Sequence, residues 1–335
     1  MIIRPITSEA VWEDFVHKLQ PNTFLQSWAW GQLQQEIGEE VQYLGFFDGE
    51  TQVGAALLLT VRARRGQHYL CPHGPLFTEE RFIEEGIATL MSFAKEQARG
   101  SALRLAPLLV VTPEHTALLA RHGFRSAPLH VHTELTWMLD LSPTPEELMQ
   151  GMRKTTRHAI RRATDKGVTA SILSPEEIVS RFYPLYEATK DRHGFVPFSR
   201  RFLETQVGAY SPNNVFGVVA QFEGHDVAAA ILIHYGDTVF YHHGASLQLP
   251  GNIPAAHLLQ WTAIQEAKRR GATRYNFWGI APDNEPEHPF AGITVFKKGF
   301  GGYAVDYMHA QDLPLSWKYW SLWAVEMLRK KKRGF

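Results

Sequence analysis

Cysteine is nearly absent from this 335-residue chain, where Cys71 stands alone. A single thiol excludes an internal disulfide and a zinc site built from several thiolates, and it fits a reducing compartment. Long apolar runs are missing as well. The cleanest runs from Val53 to Val61 and is interrupted by Thr60, whereas a spanning helix needs about 20 such residues. The opening Met1-Ile2-Ile3-Arg4-Pro5-Ile6-Thr7 lacks a secretory pattern, because its apolar stretch is short and no small-residue cleavage site follows. A soluble, cytoplasmic protein is expected. Nor is there an excess of one charge: 34 Lys and Arg balance 34 Asp and Glu. That excludes a globally basic nucleic-acid coat but leaves room for a local basic face. No GxSxG elbow, Walker loop, dinucleotide GxGxxG or HExxH is present. His130 and His132 would share a strand face, and no metal site is expected.

What is present can build a core, since 44% of residues are hydrophobic and 20% charged. The length corresponds to about two domains. A weak internal repeat supports that number. Gly54 to Leu59 resembles Ala228 to Ile233, His73-Gly74 resembles His243-Gly244, Arg99-Gly100 resembles Arg270-Gly271, and Pro107 pairs with Pro282. These pairs keep one order and a nearly constant separation.

Each copy begins with a β-branched and aromatic run, Val41 to Phe47 or Val215 to Phe222. Turns at Asp48-Gly49 and Glu223-Gly224 mark hairpins. A third strand ends in His-Gly, an amphipathic helix follows (Ile253 to Arg270 in the second copy), and a strand closes near proline. The order predicts an α/β (α+β) fold of two tandem acetyltransferase-like domains, with mixed sheets covered by helices. Residues 1–145 and 146–312 are assigned to the two domains, and 313–335 to a C-terminal aromatic helix with a basic tail. Between the copies, Met152 to Lys166 reads as a helix, Val168 to Leu173 as a strand and Pro175 to Arg192 as a second helix.

Several segments could carry chemistry. Arg153, Lys154, Arg157, Arg161, Arg162 and Lys166 crowd one stretch against a single acid, Asp165. Arg153, Arg157 and Arg161 fall on one helical face, which suits phosphates, although a solvated face reads the same way. Arg62, Arg64 and Arg65 form a weaker cluster at a hairpin tip. Phe296-Lys297-Lys298-Gly299-Phe300-Gly301-Gly302 sets two lysines before a glycine-rich turn, where a fixed cation could meet charge developing on a carbonyl or phosphoryl oxygen. Thr189-Lys190-Asp191-Arg192-His193-Gly194-Phe195 offers Arg192 as a phosphate clamp or as a helix-terminal cation. Cys71, near His68 and His73, reads as a buried strand residue rather than a nucleophile.

Taken in order, these motifs resemble those of the Fem aminoacyltransferases. They are Phe24-Leu25-Gln26-Ser27-x-x-Trp30-Gly31, His73-Gly74-Pro75, the basic 153–167 segment, Thr189-x-x-Arg192, Tyr241-x-x-Gly244-Ala245-Ser246 and Phe296-Lys297-x-x-Phe300-Gly301-Gly302. The resemblance implies transfer of an amino acid from aminoacyl-tRNA to the stem-peptide amine of a UDP- or lipid-linked muropeptide precursor. It implies no cofactor, and a monomer is expected. It gives Lys297 the stabilisation of the tetrahedral oxyanion, with Lys298 as the neighbouring alternative. Arg192 would hold precursor phosphates, and Trp30 and Tyr241 would wall the precursor site. Gln34 stands where the family often carries a second phosphate-binding lysine. Arg153, Lys154, Arg157 and Arg161 are expected to contact tRNA. The coiled-coil arm of some members is absent, since no run of charged heptads is long enough.

Two other readings remain open: an acyltransferase of the same fold that uses acyl-coenzyme A or modifies a protein N-terminus, and an inactive phosphate- or RNA-binding module. The first lacks the usual pyrophosphate loop, because Gly244 to Asn252 does not fit it. At the C-terminus, Trp317, Trp320, Trp323 and Leu328 precede Arg329 to Arg333. This segment reads either as peripheral contact with the inner face of the cell membrane or as a packed helix with a solvated tail.

Overall fold

A computed structural model describes residues 1–63, 66–193 and 196–333. Arg64 and Arg65 of the hairpin-tip cluster, and Gly194 and Phe195 after Arg192, lie outside the described residues. The chain forms two compact units, one of residues 1–134 with the chain from 306 onward, the other of residues 135–305.

The first unit begins with β1 (Ile2–Pro5), α1 (Glu9–Val16) and α2 (Trp28–Glu36). Ser27 starts α2 by accepting the Trp30 N–H at 3.0 Å, a standard helix cap. The repeated core follows as β2 (Glu40–Asp48), β3 (Thr51–Ala63), β4 (Gly66–Pro72), the short β5 (Leu76–Phe77), α3 (Ile83–Gln97) and β6 (Ala102–Ala106). Then come α4 (Pro113–Arg121) and β7 (Arg125–Ser126).

The second unit runs β8 (Leu135–Asp140), α5 (Pro145–Gly151), α6 (Lys154–Asp165), β9 (Thr169–Leu173), α7 (Pro175–His193), α8 (Arg200–Ala209), β10 (Val215–Phe222), β11 (His225–Tyr235) and β12 (Thr238–Ser246). It ends with α9 (Ala255–Arg269), β13 (Arg274–Gly279), α10 (Ala291–Lys298) and β14 (Tyr303–Asp306). The chain closes on β15 (Gln311–Pro314) and α11 (Tyr319–Arg333), both in the first unit.

Both sheets are mixed. The first has the path β1-β2-β3-β4-β6-β15-β7 with β5 beside β3, and the second is ordered β14-β8-β13-β12-β11-β10-β9. In each, antiparallel hairpins lead into one parallel pair bridged by a helix: β4 with β6 across α3, and β12 with β13 across α9. A parallel pair needs such a crossover. The matched sequence segments therefore take matching places, and the duplicated hairpin, helix and strand are present in both units. In the first, Leu58, Leu90, Leu103 and Leu105 help fill the core. In the second, Leu232, Ile264, Tyr275, Phe277 and Phe300 do so.

Some local readings differ from the structure. The helix expected over 152–166 is present as α6, two residues shorter at its start, and a separate helix, α5, precedes it. His130 and His132 lie in irregular chain rather than on a strand. The expected boundaries at 145/146 and 312/313 differ from the division into units. Residues 135–140 already pair with β13 in the second sheet, and β15 returns to pair with β6 in the first.

Candidate functional site

The parallel pair β12/β13 opens at its carboxyl end. Its ladder stops at Phe240 opposite Asn276, yet β12 continues to Ser246 beside β11 and β13 continues to Gly279 beside β8. In the first unit the equivalent pair stays joined to Pro72 and Ala106. Two irregularities accompany the splay. β12 bulges at His242, and β13 loses register between Asn276 and Gly279. Bulges commonly re-aim side chains beside functional sites.

Trp278, inside the second irregularity, has φ of +67°, a backbone region that bulky residues rarely occupy. Its N–H donates to Asn276 Oδ1 at 2.7 Å. The Thr136 hydroxyl lies 2.6 Å from that same oxygen and 3.2 Å from the Trp278 carbonyl. The network holds the Trp278–Gly279 peptide in place.

That peptide meets Lys297. α10 buries only Thr294 and Lys297, one turn apart and therefore on one face. Thr294 Oγ1 accepts the Ala281 N–H at 2.7 Å and donates to Phe290 O at 2.7 Å. Lys297 Nζ donates to Gly279 O at 2.5 Å. Lys297 is 5% exposed, and burial pulls its pKa down to about 7. A protonated amine has three N–H donors, so the bond to Gly279 leaves two for an incoming oxygen.

Lys298 is placed differently. Its ammonium is ion-paired with Asp283 and lies 5.2 Å from the centre of the Trp137 ring. Past the helix, the glycines permit close approach. Gly302 has φ of +100°, and a Cβ there would fall 2.1 Å from Met138 O. Trp137 Nε1 donates to Gly301 O at 2.7 Å.

The basic helix abuts the same point. The Arg153 N–H donates to Gly299 O at 2.9 Å, joining the start of α6 to the end of α10. Lys154, Arg161 and Arg162 are exposed, as is Arg153 itself. Arg157 differs, because its guanidinium donates to Gln150 O at 2.8 Å and Met152 O at 2.7 Å, which closes the carboxyl end of α5. Arg162 likewise reaches Gly251 O at 2.7 Å.

Arg192 and Tyr241 flank the opening from the β12 side. Thr189 Oγ1 accepts the Ser246 N–H at 3.2 Å, tying the end of α7 to the end of β12. One turn later, Arg192 is exposed. Tyr241 is half-buried, and desolvation raises its hydroxyl to about 12, so it stays protonated and can donate. The structure thus brings Lys297, Lys298, Arg153, Tyr241 and Arg192 to the carboxyl ends of β12 and β13, where open α/β sheets bind ligands.

Trp30 and Gln34 belong to the first unit, one turn apart on α2, at 6% and 9% exposure. The Trp30 ring packs edge-on against Phe24 and His132. Cys71 is fully buried in β4, where burial pushes its thiol up and leaves no thiolate for nucleophilic chemistry.

The sequence reading misses Thr136, Asn276, Trp278, Gly279 and Thr294. No motif marks a tryptophan at positive φ, but a threonine one turn before a lysine on a short helix is a usable sign. As a whole the arrangement offers a desolvated amine beside a fixed carbonyl, phosphate-seeking cations at both sides and an open seam between them. It can hold a polyanion and stabilise an oxyanion.

Comparison with known proteins agrees with the motif order. The model of the FemAB family matches residues 7–223 and 218–326. The lipid II:glycine glycyltransferase of Staphylococcus aureus is 21% identical, over 76% of this chain and 79% of that protein. Among solved structures, a crystal structure of FemX superposes with a TM-score of 0.84 at 18% identity, covering 96% of this chain and 99% of that one. A tandem GNAT protein from the clavulanic acid biosynthesis pathway matches at 0.53 and 15% identity, over 94% of this chain and 98% of that one.

Proposed function

We propose, from the premise that the chain belongs to the FemAB family, that it moves an amino acid from aminoacyl-tRNA to the stem-peptide amine of a peptidoglycan precursor. The reaction breaks the ester to the tRNA ribose and forms an amide. The acceptor amine attacks the ester carbonyl and loses a proton, and the ribose oxygen leaves with one. Between these events the carbonyl oxygen carries negative charge.

The observation that carries the reading is the placement of Lys297, desolvated against Gly279 O at the open end of β12/β13. A charge–charge contact in a water-poor site is worth several times its value in solvent. Lys297 is assigned to the oxyanion. Lys298, held by Asp283, supplies field and position beside it. Arg192 and the Tyr241 hydroxyl take the phosphates and polar edge of a UDP- or lipid-linked precursor. Arg153, Lys154 and Arg161 take the tRNA backbone, with Arg157 mainly bracing α5. The chain works as a monomer and needs no cofactor.

The test incubates the protein with charged total tRNA and either precursor and weighs the product. A mass increase of one or more aminoacyl groups, abolished by RNase, is expected. Transfer supported by acetyl-coenzyme A and not by tRNA would replace this reading with the acyl-coenzyme A alternative.

A further inference from the structure

We infer that α11 is a docking surface for an anionic lipid bilayer. One face of the helix is committed inward. Tyr319, Leu322 and Glu326 are buried at helical spacing. Glu326 lies inside because Arg104 of β6 does. That guanidinium, 4% exposed, forks between Asp312 at 2.6 and 2.8 Å and Glu326 at 2.7 and 3.1 Å. Rotating the helix would strip a buried charge of its partner, which is costly. The triad therefore fixes which face looks outward.

That outward face is apolar. Trp320, Met327 and Leu328 are 49%, 39% and 69% exposed, and Trp317, just before the helix, is 78% exposed. Exposed Ala324 continues the stripe. A helix whose outer face met only water would carry polar residues there.

Cations border the stripe. Lys318, Arg329, Lys330 and Lys331 are all exposed, and the Arg125 guanidinium lies 4.9 Å from the centre of the Trp320 ring. The sole acid between Trp317 and Lys331 is Glu326, which is turned inward and paired. The formal net charge of the whole chain is zero, so the positive field is local to this segment. Tryptophans, aliphatic side chains and a lysine–arginine rim on one helix suit the headgroup region of an anionic membrane.

A second copy of the chain fits less well, because a two-fold contact would set the same cations against each other. No helix among the described residues is long and apolar enough to cross a membrane, and the contact proposed is peripheral. It rests on α11 and the strands β6, β7 and β15 beside it, independent of the transferase reading.

Sedimentation of the full chain with vesicles tests the inference. Binding is expected to phosphatidylglycerol–phosphatidylcholine vesicles, weakening as salt rises, with little binding to phosphatidylcholine alone. The doubles Trp320→Ala/Leu328→Ala and Lys330→Glu/Lys331→Glu each lower partitioning by roughly tenfold or more. These residues are exposed, so melting temperature and circular dichroism should stay unchanged. Failure to bind anionic vesicles would overturn the inference. So would unchanged binding by both doubles, or a dimer in light scattering that Trp320→Ala/Leu328→Ala dissolves.

Discussion

Thr294 and Lys297 face the same backbone from adjacent turns of α10: the threonine oxygen accepts the Ala281 N–H, and the lysine ammonium donates to Gly279 O. The threonine anchors the helix, and the lysine gains its position from that anchor. Burial then disfavours its charge, bringing its pKa to about 7 from 10.5. The unfolded chain binds the proton more tightly, so this group costs stability. The cost is fully present below pH 7 and fades as pH rises toward 10.5. Lys297→Met is expected to abolish turnover while raising unfolding free energy at pH 6 by several kcal/mol, and by less at pH 9. Urea unfolding at the two pH values measures this. A variant less stable than wild type at both would contradict it.

The same lysine shapes the rate profile. An oxyanion is stabilised by the ammonium, and the acceptor amine attacks only when neutral. Turnover should therefore rise with pH, level off as Lys297 begins to lose its proton near pH 7, and fall above the pKa of the acceptor amine, a fall that exists only because Lys297 is by then discharged. Lys297→Arg keeps its charge throughout the range, so it loses the falling limb whatever its peak rate. A falling limb retained in that variant would remove the ammonium from the mechanism.

Much of this architecture was open to inspection in the chain itself. The repeated hairpin, the helix and the parallel strand follow from alternation and helical spacing, which are local. Lys297 was legible because it sits in a short run of lysines, aromatics and glycines. What escaped depends on distant partners. β15 is four residues long and gains its place only by entering between β6 and β7. Arg104, in the apolar run Leu103-Arg104-Leu105, signals a buried carboxylate without saying that Asp312 and Glu326 supply it. The positive φ of Trp278 is imposed by Thr136 and Asn276 and has no sequence mark. Arg157 shares a face with Arg153 and Arg161, yet its charge is taken up by α5.

Gly244 and Tyr241 form a second testable pair. A Cβ on Gly244 would lie 1.8 Å from the Tyr241 hydroxyl and 2.5 Å from its Cζ. Gly244 needs no special backbone angle, so the collision alone decides the outcome. Gly244→Ala must swing the tyrosine ring aside, and KM for the precursor should rise about tenfold with kcat less affected. In a Tyr241→Ala background the same change should have little effect. Additive losses would show that Gly244 acts on something other than Tyr241.

The cations of α6 separate by their partners. Lys154 and Arg161 are exposed, whereas Arg157 spends its donors on Gln150 O and Met152 O. If Lys154 and Arg161 meet tRNA phosphates, Lys154→Gln and Arg161→Gln each reduce the slope of log affinity against log salt by about 0.7 to 0.9, with no change in melting temperature. Arg157→Gln should show the opposite pattern. It leaves two helix-terminal carbonyls without their charged donor, so stability falls by about 1 to 3 kcal/mol while the salt slope hardly moves. Filter binding of charged tRNA across a salt series, run beside thermal melts, distinguishes the two classes. An unchanged slope for both exposed variants would take α6 out of the tRNA path and leave its charge to some other polyanion.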